Sequence, residues 1–78
     1  MQNTNNNVNI YFIIGQNIKR IRKEKGLTGA ELAKKCNLSY GYLKNLEAKN
    51  VEATISIETL ALIAKELNTD IIDFLKYQ

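Results

Sequence analysis

The stretch "GAELAKKCNLSYGYLKNLEA", residues 29–48, contains two short helical patterns separated by only a few residues. Its apolar residues recur three and four positions apart, the spacing that places side chains on one face of a helix. They are Leu32, Ala33, Cys36, Leu38, Leu43 and Leu46. Two helices joined by so short a turn cross steeply, and the small side chain of Ala33 lets them approach. The stretch therefore predicts a helix-turn-helix unit, with Leu38 plugging the turn into the core.

Polar residues at fixed positions mark where these two helices begin and end. Thr28 precedes the first helix and Glu31 follows three residues later, which is the spacing of a capping box. Asn37 is expected to adopt the left-handed backbone conformation that ends this helix, as Gly26 does for the helix before it. Ser39 is expected to cap the second helix of the pair.

The second helix of the pair is expected to have an inner and an outer side. Leu43 and Leu46 turn toward the core, which forces their neighbours outward. The outward residues are Tyr40, Gly41, Lys44 and Asn45. This helix therefore presents a mixed polar, basic and aromatic face to its surroundings.

A longer helix is predicted before this pair. It begins at Asn9 or Ile10, ends at Gly26 and carries its basic residues on the side opposite its isoleucines. The buried positions are Ile14, Ile18 and Ile21. The preceding Asn-rich segment has nothing to bury, so residues 1–9 are interpreted as a flexible polar lead and residues 10–78 as one domain.

Two further helices are predicted after a loop that ends near Ile55. The fourth helix begins at Thr54 or Ser56 and ends at Asn68. Its inward side is expected to comprise Ile57, Leu60, Ala61, Ala64 and Leu67. Asp70 is expected to cap a short fifth helix that carries Ile71, Phe74 and Leu75. The fold class predicted is therefore all-α, a compact domain of five helices.

Charge is distributed unevenly along the chain. The net charge is +3, but residues 1–50 hold nine Lys and Arg against three Glu, whereas residues 51–78 hold two Lys against five acids. Two interpretations remain open. The basic half is either an ordinary solvated surface or a surface that faces a polyanion.

Other features of the composition exclude several classes of protein. The single cysteine, Cys36, lies on the apolar stripe of its helix and is interpreted as a core residue. The chain has no histidine. No enzymatic site, metal, cofactor or small-molecule ligand is therefore expected. The apolar run Ile10–Ile14 is too short to span a membrane, and a reducing, cytoplasmic setting is expected.

The stretches "IKRIRKEKGLTGAELAKKCNLSYGYLKNLEAKN" and "SIETLALIAKELN" together resemble the phage-repressor (Xre/Cro-type) helix-turn-helix family. The motifs that carry the resemblance are "RKEKGLT", "ELAKK", "LKNLE" and "LALIAKEL", and the likeness covers about residues 13–75. "NLSYGYL" and the loop before "TISIETL" are more narrowly similar to the controller proteins of restriction-modification systems. The resemblance implies a transcription regulator, a repressor or controller, that binds two-fold double-stranded DNA operators as a homodimer.

The resemblance also implies roles for individual residues. The base-reading positions are Tyr40, Gly41, Lys44 and Asn45. An Asn side chain can pair with an adenine edge, and a Lys can reach guanine or phosphate. Tyr40 is expected to contact a thymine methyl or a phosphate. Gly41 either lets the helix approach the floor of the groove or marks an unconstrained surface position.

Phosphate contacts are expected around the ends of the two short helices. The candidates are Gly29, Ala30, Lys34, Ser39, Tyr42, Lys49 and Asn50. Family members commonly carry glutamine where Gly29 stands, so this chain lacks one side-chain clamp on phosphate. For Tyr42, a mainly structural role is favoured over phosphate contact.

The resemblance also implies one structural feature, and the distribution of apolar and basic residues indicates a second. Arg22 and Glu47 match positions that form a largely buried ion pair between the first and third helices. The dimer interface is expected at the apolar C-terminal end, with Ile10, Tyr11 and Phe12 as further candidates. The residues assigned to it are Ile71, Phe74, Leu75 and Tyr77. Alternatively, these groups only close the core of the monomer.

A second function class remains open. Gly29, Gly41 and the lack of an arginine in the third helix fit a protein-interaction module, such as an antitoxin or the partner of a regulator. Such a protein keeps the fold with weak or no DNA binding. The dependence of DNA affinity on salt separates the two classes.

Overall fold

The computed structural model describes residues 9–77. This part of the chain forms four α-helices, followed by one 3-10 helix at Ile71–Phe74. The α-helices are α1 (Ile10–Glu24), α2 (Gly29–Lys35), α3 (Tyr40–Glu47) and α4 (Ile57–Glu66). The all-α class is confirmed for the described residues, which include no strand. The count of five helices is wrong, because the last segment is only a four-residue 3-10 turn.

The predicted flexible lead falls largely on residues 1–8, which lie outside the described residues. Asn9 had been assigned to that lead, but it is the N-cap of α1. Its side-chain Oδ1 accepts the backbone N–H of Tyr11 at 3.0 Å. Asn9 therefore belongs to the structured domain and not to the lead.

The local signals for helix ends act as predicted. Thr28 and Glu31 form the capping box of α2, and Ser39 Oγ accepts the N–H of Tyr42 at the start of α3. Asn37 has a φ of 55° and Gly26 a φ of 76°, so both adopt the left-handed conformation that ends a helix. The capping contacts join residues only three positions apart. The sequence pattern therefore predicts them without knowledge of the fold.

A single core lies between the four helices. It comprises Ile14, Ile18, Ile21, Leu32, Ala33, Cys36, Leu43, Leu46, Ile55, Leu60, Ile63, Ala64, Leu67 and Phe74. The prediction for α4 is wrong at two positions, because Ile57 is 68% exposed and Ala61 is exposed, whereas Ile63 is fully buried. Ile57 lies in the first turn, beyond the edge of the core. Ala61 lies about 100° around the helix from the buried Leu60.

Helices α1 and α3 pack very closely at Gly15. A Cβ atom on Gly15 would collide with the backbone carbonyl oxygen of Leu46. Close by, Gln16 Nε2 donates to the carbonyl oxygen of Glu47 at 3.0 Å. Only glycine permits this approach, so Gly15 fixes how closely α3 lies against α1. This role of Gly15 was not predicted from the sequence, although a glycine inside a helical pattern is a signal of close packing.

A buried amide holds the C-terminal segment against α1. Asn17 is 1% exposed, and its Nδ2 donates to the carbonyl oxygens of Phe74 and Lys76, both at 2.8 Å. These bonds satisfy two backbone carbonyl oxygens for which the short 3-10 turn provides no hydrogen-bond donor. Asn17 lies three positions after Ile14 and four before Ile21, on the apolar stripe of α1, and a polar residue in that stripe was the sequence signal for this contact.

Candidate nucleic-acid interface

The two sides of α3 differ sharply in exposure. Leu43 is fully buried and Leu46 is 6% exposed, so both anchor α3 in the core as predicted. The opposite side carries four exposed residues, which are Tyr40, Gly41, Lys44 and Asn45. The structure therefore brings the four predicted base-reading residues together on one accessible face.

An ion pair fixes the end of α3 against α1. Arg22 Nε and Nη2 donate to the two carboxylate oxygens of Glu47 at 2.9 and 2.8 Å, a bidentate arrangement. The remaining nitrogen, Nη1, donates to the carbonyl oxygen of Leu27 at 2.8 Å. The hydrogen bond to Glu47 raises the pKa of Arg22, against the lowering effect of burial. Arg22 therefore joins α1, the following loop and α3.

Gly29 lies against the ring of Tyr40. A Cβ atom on Gly29 would lie 3.0 Å from Cε1 of Tyr40, 3.7 Å from Cδ1 and 3.9 Å from Cζ. The first of these distances is shorter than ordinary van der Waals contact, so a side chain at this position would displace the ring. From the sequence, Gly29 was considered only for a phosphate contact and for the side-chain clamp that it lacks. Its contact with Tyr40 became visible only in the fold.

Gly41 is different, because no residue other than its sequence neighbours lies within 4 Å of a Cβ atom there. Its φ also lies outside the positive range that is unstrained only for glycine. No contact within the described chain therefore requires glycine at this position. Both interpretations of Gly41, close approach to a groove and an unconstrained surface position, fit this geometry.

Tyr42 has contacts within the chain that support a structural role. Its hydroxyl donates its one proton to the carbonyl oxygen of Thr54 at 2.9 Å. Burial raises the pKa of Tyr42 above its ordinary value. Tyr42 packs partly against the core and ties α3 to the loop before α4, which is the structural role that the sequence analysis favoured.

The remaining phosphate candidates lie at accessible positions around α2 and α3. Exposed residues among them are Ala30, Lys34, Ser39, Lys49 and Asn50, and Gly29 is half-buried. A concavity of about 370 Å³ between α1 and α3 is lined by Lys19, Lys23 and Lys44, among others. These lysines give the surface beside α3 a positive potential.

The predicted dimer residues divide into two groups. Leu75 is 40% and Tyr77 is 68% exposed, whereas Ile71 is half-buried against the core. Phe74 is fully buried, so its assignment to an interface is wrong. It fills the core beneath the 3-10 turn. Ile72, which the sequence analysis passed over, is 60% exposed instead.

Neither a membrane-spanning helix nor a metal-binding cluster occurs within residues 9–77. The helices of this range lack the length and apolar character that crossing a membrane requires. The same range holds no group of three or more His, Cys, Asp or Glu side chains placed to bind a metal ion.

The fold and the exposed face of α3 define a helix-turn-helix protein. A model of the helix-turn-helix family matches residues 18–74, and the chain belongs to that family. The chain is 41% identical over 58 residues to the immunity repressor of Bacillus phage phi105. It is 37% identical over 59 residues to the transcriptional regulator SinR of Bacillus subtilis. These matches cover 74% and 76% of this chain.

Solved structures agree with this assignment. The structure of SinR in complex with DNA gives a TM-score of 0.74 at 36% identity, covering 81% of this chain and 98% of that one. The restriction-modification controller protein C.Esp1396I gives 0.74 at 34% identity, covering 87% of each chain. The chain spans only 39% of the phage repressor and 52% of the full SinR sequence.

Proposed function

We propose that this chain is a sequence-specific, double-stranded DNA-binding transcription regulator that inserts α3 into a major groove. The observation that carries the proposal is the division of α3 into a buried apolar side and an exposed polar and basic side. A helix held in this way has the shape and chemistry that the groove admits. The relatives named as a repressor, a regulator and a controller support the same conclusion.

In this proposal, the exposed residues of α3 read bases. The amide of Asn45 both donates and accepts hydrogen bonds, which suits the edge of adenine. Lys44 donates to guanine or to a neighbouring phosphate. The ring of Tyr40 contacts a thymine methyl, or its hydroxyl donates to a phosphate. Gly41 has no side chain to keep the helix from the floor of the groove.

Backbone contacts position the protein without reading sequence. We assign these contacts to the start of α2 and to the loop after α3. The residues are Gly29, Ala30, Lys34, Ser39, Lys49 and Asn50. The lysines on the exposed face of α1, Lys19 and Lys23, extend the same positive surface.

A homodimer completes the proposed regulator. Two recognition helices about 34 Å apart read two half-sites of an operator, whereas one helix reads too little sequence for selectivity. The exposed apolar residues at the C-terminal end, Ile72, Leu75 and Tyr77, are the proposed dimer surface. Ile72→Glu should convert a dimer to a monomer in sedimentation equilibrium. The assignment is contradicted if the wild-type chain stays monomeric at every protein concentration up to the one that saturates a palindromic site.

A protein-interaction module is the second candidate. The observation that favours it is the number of large apolar side chains left exposed, including Ile57 at 68%. One relative, SinR, has been solved in complex with the SinI protein. In this reading, the fold serves a protein partner, and binding of DNA is weak.

A salt titration separates the two candidates. Affinity for a mixed-sequence duplex is measured by fluorescence anisotropy between about 50 and 200 mM salt. Over this range, the rise in salt lowers the affinity of a protein with six or more phosphate contacts by a factor of about 10³. A DNA-binding regulator should show this steep slope. Weak affinity without a slope favours the interaction module. Lys49→Ala, which removes a proposed phosphate contact, should make the slope shallower. Lys65→Ala is its matched control, since Lys65 is an exposed lysine on α4, to which no DNA contact is assigned.

A further inference from the structure

Position 29 lies beside the first residue of α3, although eleven positions separate the two residues in the sequence. The atoms of Tyr40 nearest to Gly29 are the consecutive ring carbons Cδ1, Cε1 and Cζ, so one side of the ring lies over the glycine. The ring is also 52% exposed. Tyr40 is therefore in contact with α2 on one side and is accessible on another.

The available space decides where this ring lies. A methyl group at position 29 would approach Cε1 to 3.0 Å, closer than carbon atoms ordinarily pack. A half-exposed ring is not locked by surrounding atoms, so it would swing away from the methyl group. Any side chain larger than hydrogen at position 29 changes the position of Tyr40.

We infer that Gly29 is a positioning residue that sets the place of the Tyr40 ring, and that base recognition by Tyr40 depends on it. The inference rests on the proposed function, because it assigns Tyr40 to a DNA contact. A displacement of less than about 1 Å matters at a base edge, where recognition depends on distance and direction. Gly29 and Tyr40 thus act as a pair, and a substitution at residue 29 changes sequence preference without adding a contact of its own.

The first arm of the test needs no DNA. Thermal unfolding is measured for Gly29→Ala, Tyr40→Ala and the double variant. In the Tyr40→Ala background, Gly29→Ala should raise the melting temperature by about 4 °C, because alanine favours the helix over glycine. In the presence of Tyr40, this gain should be smaller or absent. Gly41→Ala in the wild-type background is the control for helix propensity alone, since no residue beyond its two sequence neighbours lies within 4 Å of the added methyl group.

The second arm measures the ratio of affinities for a duplex selected from a random pool and for mixed duplex DNA. Gly29→Leu should lower this ratio about tenfold, the loss expected when one base contact fails, and Gly29→Ala should lower it less. In the Tyr40→Ala background, neither substitution should change the ratio. Loss of a phosphate contact alone would instead weaken both duplexes equally.

The outcomes distinguish the inference from the proposed function. Equal gains in melting temperature in both backgrounds, or a ratio that Gly29→Leu leaves unchanged, overturn the inference while the proposed function stands. A ratio that falls equally with and without the Tyr40 ring also overturns it. If no duplex is bound at all, the proposed function fails, and the assignment of Tyr40 to base recognition fails with it.

Discussion

The inner side of α3 is tightly packed against α1, whereas its outer side is exposed. On the inner side, Gly15 of α1 lies so close to the carbonyl oxygen of Leu46 that no side chain fits, and Glu47 has both carboxylate oxygens in hydrogen bonds. On the outer side, a methyl group added to Gly41 would meet nothing within 4 Å, and Asn45 is exposed. The inner side determines where the helix lies. The outer side is left open for contacts with a partner.

This contrast separates two kinds of substitution. Changes on the inner side are expected to reduce the free energy of unfolding, because buried groups lose partners or collide. Changes on the outer side should not reduce the free energy of unfolding, and their main effect should be on the affinity for DNA. Gly29 and Tyr40 lie between the two cases, because their contact joins α2 to the exposed face.

The largest effect is expected for Glu47→Gln. The substitution leaves the positive charge of Arg22 largely buried without its counter-ion, and both side chains are only 10% exposed. Loss of one partner of a buried pair typically reduces the free energy of unfolding by about 3–5 kcal/mol. Urea denaturation measures the change. The control is Glu24→Gln, since Glu24 is 60% exposed in its pair with Arg20 and should contribute about 1 kcal/mol or less. Unchanged stability of Glu47→Gln would contradict the bracing role of the pair.

Gly15→Ala should have the next largest effect. The added methyl group forces α3 away from α1, and overpacking of this kind reduces the free energy of unfolding by about 3 kcal/mol. The matched control is Gly41→Ala, also a glycine within a helix, which should gain about 0.5–1 kcal/mol. Chemical denaturation of both variants is the measurement. Equal shifts in the same direction would remove the distinction between the two sides of α3.

Asn45→Ala tests the outer side directly. It should weaken binding to the selected operator by about 1–3 kcal/mol and relax the preference at one base position, while the fold keeps its stability. Lys49→Ala should weaken binding to all duplexes alike, because a phosphate contact carries no sequence information. Anisotropy titrations on operator and mixed duplexes give both quantities. If both variants lose affinity equally on the two duplexes, Asn45 does not read a base.

The smallest effect is expected at the capping box of α2, under acidic conditions. Hydrogen bonds from the backbone N–H and side chain of Thr28 lower the pKa of Glu31. Because the folded-state pKa lies below the unfolded one, the stabilisation is complete above the unfolded pKa and is lost as pH falls through the folded pKa. Glu31→Gln should remove this part of the acid dependence. Denaturation midpoints measured across the acidic range test it, and parallel pH profiles for the two proteins would contradict the assignment.

The sequence by itself determined the four α-helices, the signals at their ends and the two sides of α3. Thr28 with Glu31 and Ser39 with the N–H of Tyr42 are contacts between residues three positions apart. Such contacts form wherever the local backbone is helical, so they can be recognised from spacing alone. The three-residue spacing of the apolar residues Leu43 and Leu46 likewise predicted which residues of α3 are exposed.

Only the tertiary structure decided which groups meet across the molecule. Asn17 donates to the carbonyl of Phe74, 57 positions away, and Gly15 faces Leu46 rather than any neighbour in the sequence. The burial of Phe74 and the contact of Gly29 with Tyr40 arise in the same way. Helical periodicity tells which side of a helix is apolar, but not which helix packs against it or how closely. Those distances depend on the simultaneous packing of all the helices, which no local pattern contains.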